Sequence, residues 1–153
     1  MQIGDPVADF SLPDQFGDVQ SLYGYLDLGP VVLFFYPAAM TKGCTMESCH
    51  FRDLKGEFEV LGAQRVGISR DSVDRQRKFS DLYAFDYPLL SDASGSVAQQ
   101  FGVGRSFALL PVKRWTFVLG ADRRVVDVIK SEIRMESHAD RALDQLRRLS
   151  SIS

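Results

Sequence analysis

The chain alternates continuous apolar runs with segments in which apolar residues recur every three or four positions. The run VVLFFY (residues 31–36) is apolar without alternation, which predicts a strand buried on both faces of a sheet. The segment after it, from about Thr45 to Leu61, predicts a helix. Its apolar side chains stand at helical steps at Phe51, Leu54, Phe58 and Leu61.

A second strand and helix follow the first pair. RVGIS (residues 65–69) predicts the strand, and Asp71 or Ser72 can cap the helix after it. DYPLLSD is expected to be short and extended, and SGSVAQQFGV predicts a short helix. The capped helix is predicted to carry Val73, Gln76, Phe79, Leu82 and Tyr83.

Hairpins are predicted near both ends of the chain. DFSLPDQFGDVQSL (residues 9–22) has Pro and Gly between short apolar stretches, as a small hairpin does. RWTFVLGADRRVVDVI has two apolar runs around a turn at Gly120, Ala121 and Asp122. Ser137 with Asp140 resembles a capping box. It precedes a last helix with an apolar stripe at Leu143, Leu146 and Leu149.

This order of elements predicts an α/β protein. Two strand–helix units followed by a hairpin and a last helix form a thioredoxin-like fold, with a mixed central β-sheet flanked by helices. The chain has 153 residues and neither internal repeats nor a linker. We therefore predict one domain that spans residues 1–153.

Composition and charge exclude several classes of protein. The chain is 45% hydrophobic and 25% charged, as soluble globular proteins are. A formal net charge of −2 provides no broad positive field for nucleic acid or acidic membranes. The longest apolar run is too short to span a bilayer, and MQIGDPVADF lacks the features of a secretion signal. We expect a cytoplasmic protein that binds neither nucleic acid nor membrane.

The chemistry of the chain is concentrated in its two cysteines, Cys44 and Cys49, just past the first core strand. Cys44 is expected in the first turn of the helix, where free N–H groups and the helix dipole favour thiolate over thiol. A thiolate is the nucleophile in sulfur chemistry. Cys44 could instead be a small buried filler, as many cysteines are. The closeness of the only other cysteine favours a joint role, and two cysteines fit a reducing compartment.

A metal site is a further alternative. Cys44, Cys49, His50 and His138 could supply four ligands, but the C-x4-C-H spacing is not a standard zinc pattern. We place His50 on the exposed face of its helix and His138 in the first turn of a solvent-edged helix, and predict no metal. C-x4-C also differs from the C-x-x-C of general dithiol exchangers.

The stretch FFYPAAMTKGCT resembles the P-x-x-x-T-x-x-C signature of the peroxiredoxins, with Pro37, Thr41 and Cys44 in register. Glu47 matches the usual acidic position of that family. KGCTMESCHFRD further resembles the bacterioferritin-comigratory (PrxQ-type) branch, which carries a second cysteine five residues after the first. The similarity extends from GDPVADFSLPDQFG to RWTFVLGADRRVV, which is nearly the whole chain.

The resemblance implies reduction of hydrogen peroxide and organic hydroperoxides without a cofactor. Cys44 is then the peroxidatic thiolate, which becomes a sulfenic acid. The Thr41 hydroxyl can accept from and donate to the peroxide, and the N–H groups of Gly43 and Cys44 can bind its oxygens. Pro37 lacks an N–H and would shield the sulfur from water.

The family also brings an arginine to the site from a later strand, and its position here points to Arg114. Its charge would hold the thiolate ionised, and Glu47 could orient the guanidinium through a bidentate pair. Without the family, Arg114 could be a solvated charge on an edge strand. If Arg114 is not the catalytic arginine, Arg105 is the next candidate.

Two features depart from the family pattern. Lys42 stands where the branch usually has Pro, and could stabilise the thiolate or, as we prefer, be a surface charge. The segment VGRSFALLP (residues 103–111) is short and apolar, and could wall the substrate pocket. Trp115 and Phe107 are expected in the core.

The spacing of the cysteines has a mechanical consequence. On a regular helix, residues five apart have Cα atoms about 8.6 Å apart and point about 140° away from each other. A disulfide needs Cα atoms within about 7 Å. Cys49 could therefore resolve the sulfenic acid only after local unwinding, and an external thioredoxin-like reductant would restore both thiols.

The resemblance thus implies a thiol peroxidase that acts as a monomer or weak homodimer. The alternative is a thioredoxin-fold redox-sensing or binding protein without efficient turnover.

Overall fold

The fold is seen in a computed structural model that describes residues 1–104, 112–131 and 134–152. The strands are β1 (Ser11–Pro13), β2 (Val19–Ser21), β3 (Val31–Phe35), β4 (Gln64–Ser69), β5 (Leu89–Ser91), β6 (Trp115–Leu119) and β7 (Val125–Lys130). The helices are α1 (Leu22–Leu26), α2 (Lys42–Asp53), α3 (Lys55–Val60), α4 (Val73–Tyr83), α5 (Ser96–Gln100) and α6 (Glu136–Ile152). No helix among these ranges is long and apolar enough to cross a membrane.

The central sheet is mixed, with the strand order β5-β4-β3-β6-β7. β3 pairs in parallel with β4, which pairs in parallel with β5. On its other side β3 pairs antiparallel with β6, which forms the predicted hairpin with β7. β1 and β2 form the small antiparallel hairpin expected near the N-terminus. The predicted mixed sheet flanked by helices is confirmed.

β3 is the centre of the core, and all of its side chains are buried, as its unbroken apolar run predicts. Alternate side chains of a strand point to opposite faces, so β3 divides the core into two clusters. Val31, Leu33 and Phe35 pack on one side with parts of α1 and α5. Val32 and Phe34 pack on the other side, where α2, α4 and α6 cover the sheet. The second face holds the site described below.

The helix predicted from Thr45 to Leu61 is in fact two helices, α2 and α3. The backbone leaves helical geometry at Leu54, where φ is −94° and ψ is 21°. α2 also begins three residues earlier than predicted. The helix starts directly after Thr41, whose backbone is extended, and the apolar spacing used for the prediction does not mark this first turn.

Ser72 caps α4 as predicted, because its hydroxyl accepts from the N–H of Arg75 at 3.2 Å. Leu82 lies in α4 as predicted, with its side chain exposed. The capping box at Ser137 is wrong. α6 already begins at Glu136, and the Ser137 hydroxyl donates to the carbonyl of Arg134 at 2.6 Å.

Candidate active site

Side chains from the turn after β4 and from α4 hold the loop between β3 and α2 in place. The N–H of Ala39 donates to Asp71 Oδ2 at 2.7 Å, and a guanidinium N–H of Arg75 donates to the carbonyl of Ala39 at 3.4 Å. Asp71, one of two predicted helix caps, therefore anchors this loop instead. Met40 takes a positive φ of 64° where the chain turns into α2. These contacts fix where the first turn of α2 begins.

Cys44 lies in that first turn, as predicted, and is the third residue of α2. Its side chain is fully buried on the second face of the sheet, in the cluster that contains Tyr36 and Phe51. The first N–H groups of a helix have no partner within it. The sulfur is therefore close to backbone donors as well as to packed apolar groups.

The structure brings Arg114 to this cysteine. A guanidinium N–H of Arg114 donates to the Cys44 sulfur, with Nη1 3.3 Å from Sγ. Arg114 directly precedes β6 and is buried, so it is not a solvated edge charge. Because side chains alternate along a strand, Arg114 shares its face with Thr116 and Val118, and that face is covered by α2 and α6.

Gly43 makes room for the guanidinium. A Cβ at this position would lie 3.2 Å from Arg114 Nη2 and 3.6 Å from the sulfur of Met135. A larger residue would press on the guanidinium at the N-terminus of α2. The requirement for a small residue here follows from the packing of Arg114, which is distant in the chain, so the sequence did not indicate it.

Glu47 is one turn after Cys44 on α2 and is fully buried. Its Oε1 lies 3.6 Å from Nη1 of Arg114, which brings the two residues together as predicted, but as an ion pair and not in the predicted bidentate geometry. Its Oε2 lies 3.4 Å from Nε2 of His138. The carboxylate is thus placed between a cation on one element and an imidazole on another.

His138 is the residue of this site that the sequence did not reveal. We expected it on a solvent edge, and that expectation is wrong because His138 is fully buried. Its Nδ1 lies 2.7 Å from the Thr116 hydroxyl, and its Nε2 lies 2.6 Å from the carbonyl of Ser131. A signal was present in the sequence, since residue 138 is in helical register with the buried stripe of α6 at Ala139, Ala142, Leu143 and Leu146.

Thr41, Pro37 and Lys42 surround the start of α2. The Thr41 hydroxyl donates to the carbonyl of Ala38 at 2.8 Å, and among the described residues it makes no capping hydrogen bond to α2. Pro37 is buried just after β3. Lys42 is exposed, in agreement with our preference for a surface charge.

Cys49 lies on the same helix as Cys44 and is half-buried, and both cysteines are free thiols. Burial raises the pKa of the Cys49 thiol above its ordinary value of 9.0, while the charges of Arg52 and Asp53 act in opposite directions. Cys49 therefore holds its proton more tightly in folded α2 than after unwinding.

Side chains from outside α2 donate hydrogen bonds to backbone carbonyls of the helix around Cys49. The Tyr87 hydroxyl donates to the carbonyl of Ser48 at 2.7 Å, and Arg65 Nη1 donates to the carbonyl of Phe51 at 2.8 Å. Unwinding this part of α2 has to break such contacts.

His50 belongs to the same set of contacts. Its Nε2 lies 2.8 Å from Asp140 of α6, and its side chain is 27% exposed, so the expected exposed position is met in part. His50 and His138 thus contact different carboxylates, Asp140 and Glu47. Within the described ranges, no three His, Cys, Asp or Glu side chains are grouped to hold a metal.

Residues 105–111 lie outside the described residues, and with them the predictions for Arg105, Phe107 and most of the apolar segment 103–111. Trp115 is half-buried and packs against the first core cluster, so its expected core position is met only in part, with its ring 6.5 Å from that of Phe117. The ammonium groups of Lys113 and Lys130 lie 4.9 and 4.4 Å from the centre of the Trp115 ring.

A buried thiol beside a guanidinium, at a helix N-terminus next to the central strand of a mixed sheet, is the arrangement of a thiol peroxidase. The chain belongs to the AhpC/TSA family, whose model matches residues 3–128. A putative peroxiredoxin of Mycobacterium tuberculosis is 60% identical over 153 residues, which cover 99% of both chains.

Two solved structures are similar over nearly the whole chain. Peroxidoxin BcpB from Mycobacterium tuberculosis has a TM-score of 0.94 at 60% identity and covers 97% of this chain and 98% of its own. The bacterioferritin comigratory protein of Xanthomonas campestris, described for its alkyl peroxide reduction activity, has a TM-score of 0.84 at 30% identity and 92% coverage of both chains. The predicted resemblance is confirmed: this is a PrxQ-type peroxiredoxin and a thiol-dependent peroxidase.

Proposed function

We propose that Cys44 is the peroxidatic cysteine and Cys49 the resolving cysteine of this peroxidase. The observation that carries the proposal is the 3.3 Å contact between Arg114 Nη1 and Cys44 Sγ at the first turn of α2. A guanidinium keeps its charge at all physiological pH values, so it can stabilise a thiolate without itself titrating. The backbone donors of the helix terminus act in the same direction.

The first step is attack of the Cys44 thiolate on one peroxide oxygen. An S–O bond forms as the O–O bond breaks, so sulfur is oxidised to sulfenic acid and the peroxide is reduced. The second oxygen leaves with the bonding electron pair and takes up a proton to give water or an alcohol. Arg114 and the N–H groups of Gly43 and Cys44 stabilise the negative charge that moves onto this oxygen.

Thr41 orients the peroxide. Because its hydroxyl proton is directed to the carbonyl of Ala38, the hydroxyl oxygen can accept the O–H of the incoming peroxide. Thr41 therefore acts as an acceptor for the peroxide, whereas the family resemblance implies that it both donates and accepts. Pro37 has no N–H and is buried just after β3, which supports the role in shielding the sulfur from water that the family resemblance implies. Glu47 orients the Arg114 guanidinium through Oε1.

The second step is resolution by Cys49. Its sulfur attacks the sulfenic sulfur, an S–S bond forms and the S–O bond breaks, and the oxygen leaves as water after protonation. Cysteines five residues apart on one intact helix cannot meet, so this step follows local unwinding of α2. An external thioredoxin-like dithiol then reduces the disulfide by thiol exchange and is itself oxidised.

The proposal extends to substrate and assembly. Since the Xanthomonas protein is described for alkyl peroxide reduction, we include organic hydroperoxides besides hydrogen peroxide. Both cysteines belong to one chain, so the cycle needs no second copy, and residues 1–153 act as one domain in a monomer or weak homodimer. Two free thiols also suit a reducing cytoplasm.

Peroxide consumption in the presence of thioredoxin and its reductase tests the proposal, with Cys44→Ser as the control. We expect the parent protein to consume hydrogen peroxide and cumene hydroperoxide and Cys44→Ser to consume neither. If Cys44→Ser turns over like the parent, the assignment of Cys44 is wrong. If both proteins are inactive while the parent still forms a sulfenic acid, the chain acts as a redox sensor and the proposed reductant is wrong.

A further inference from the structure

We propose that His138 is a positioning residue for peroxide attack, acting through Glu47 on Arg114. This inference rests on the proposed function of Cys44. Its basis is a continuous set of buried contacts, from the Thr116 hydroxyl to the imidazole, the carboxylate, the guanidinium and finally the Cys44 sulfur. The sequence motif of the family contains neither His138 nor Thr116.

The proton on the imidazole can be assigned from its neighbours. The carbonyl of Ser131 is only an acceptor, and it lies 2.6 Å from Nε2 of His138, so Nε2 carries a proton. The Thr116 hydroxyl can donate to Nδ1 or accept from it, so it is compatible with either charge state of the ring. In both states the protonated Nε2 lies 3.4 Å from Glu47 Oε2, and because its proton is directed to the Ser131 carbonyl, the ring acts on the carboxylate electrostatically.

The consequence for Arg114 is electrostatic. Glu47 and the Cys44 thiolate are two buried anions that compete for one guanidinium, which lies 3.6 Å from the first and 3.3 Å from the second. A buried carboxylate needs polar partners for both oxygens. With the imidazole next to Oε2, Arg114 has to stabilise only the charge at Oε1. Without it, we expect Glu47 to draw the guanidinium towards itself and away from the sulfur.

The imidazole is itself held firmly enough for this task. It is fully buried in the first turns of α6 and is fixed at both ring nitrogens, by Thr116 of β6 and by the carbonyl of Ser131 after β7. Positioning groups act best when their own side chains are locked by packing and hydrogen bonds. Helix α6 thereby contributes to a site whose reacting sulfur is on α2.

Two amide substitutions separate this role from a structural one. In His138→Asn the amide reaches the position of Nδ1, next to Thr116, but not that of Nε2. In His138→Gln the longer side chain reaches the Nε2 position and can donate to Glu47. Both variants are polar and uncharged, so they differ mainly in which contact they keep.

The readout is the rate of a single turnover of the reduced protein with hydrogen peroxide, followed by the fluorescence of Trp115, the only tryptophan, beside Arg114. This rate requires no reductant. We expect His138→Asn to slow attack roughly tenfold and His138→Gln to stay within about threefold of the parent. In a Glu47→Gln background the Asn substitution should have little further effect, because the two residues act in series.

The inference is overturned if His138→Asn reacts at the parent rate, if His138→Gln is as slow as His138→Asn, or if Asn slows the reaction equally in the Glu47→Gln background. If circular dichroism shows that His138→Asn does not fold, Thr116→Val takes its place in the comparison with the Glu47→Gln background. It loosens the ring without touching Glu47 and should slow attack only when Glu47 is present. A parent protein that does not react at Cys44 contradicts the proposed function instead.

Discussion

The guanidinium of Arg114 donates to the sulfur of Cys44 across 3.3 Å, although 70 residues separate them in the chain. β6 lies directly beside β3 in the sheet, and Cys44 lies in the first turn of α2, the helix that follows β3. The residue just before β6 is therefore delivered to the end of β3 from which α2 starts. The antiparallel pairing of β3 with β6 makes this meeting possible, and the predictions below depend on it.

Replacing Arg114 with Met should slow peroxide attack at least about tenfold, since removal of one charge-stabilising donor typically costs about 2.7–4 kcal/mol. Stopped-flow measurement of the single turnover checks this. Lys42→Met is the matched control, because it removes an exposed positive charge from the same helix end and should leave the rate unchanged. If Arg114→Met reacts at the parent rate, Arg114 is not the catalytic arginine.

Replacing Cys49 with Ser should leave the first reaction with peroxide intact and stop turnover with thioredoxin. Sulfenic acid should accumulate on Cys44 and progress to sulfinic acid under excess peroxide, as mass spectrometry can show. The oxidised parent should instead lose two thiols and part of its helical circular dichroism, because α2 has to unwind. Normal turnover by Cys49→Ser, or one remaining thiol in the oxidised parent, contradicts the cycle.

Removing the contact between His50 and Asp140 should speed disulfide closure without changing peroxide attack. Asp140→Ala lowers the cost of separating α2 from α6, and a partly exposed pair is worth about 0.2–1 kcal/mol, so closure should accelerate by up to about fivefold. Asp144→Ala is the control, since Asp144 contacts Arg147 within α6 itself. Equal closure rates in all three proteins would show that this contact does not restrain α2.

The protonation of Cys49 should make the opening of α2 depend on pH. Burial raises the pKa of Cys49 in the folded helix, so the folded form retains the proton. This contribution to helix stability is complete below the ordinary thiol pKa of 9.0 and is lost as pH rises through the higher folded value. In Cys44→Ser, alkylation of Cys49 should therefore have its midpoint at higher pH in native than in urea-unfolded protein. Equal alkylation midpoints in native and unfolded protein would contradict a raised pKa of Cys49 in the folded helix.

Gly29 should tolerate no side chain, because a Cβ there would lie 2.2 Å from the carbonyl oxygen of Gly62 and the backbone has a φ of +147°. Gly29→Ala should lower the free energy of unfolding by about 2–3 kcal/mol. Gly56→Ala is the control, since Gly56 lies in α3 with nothing within 4 Å of a Cβ, and should be stabilising by about 0.5–1 kcal/mol. Urea unfolding measures both, and equal stability of the two variants contradicts the steric argument.

The sequence by itself determined the sheet, the order of its elements and the thiol chemistry. An unbroken apolar strand, two strand–helix units and a hairpin depend on local periodicity, so VVLFFY and RWTFVLGADRRVVDVI predicted β3, β6 and β7 directly. Cys44 could be placed at a helix N-terminus because the change from strand to helix is itself a local pattern. The break between α2 and α3 at Leu54 was missed, because the apolar spacing continues through it.

Only the tertiary structure decided which charged and polar groups are buried around Cys44. Its meeting with Arg114 was predicted through the family pattern, whereas His138 was placed at a solvent edge and is fully buried beside Glu47. Burial of a polar residue depends on partners that approach from other elements, here Thr116 of β6 and the carbonyl of Ser131 after β7. Periodicity along one helix shows which face is covered, but it does not show which groups cover that face.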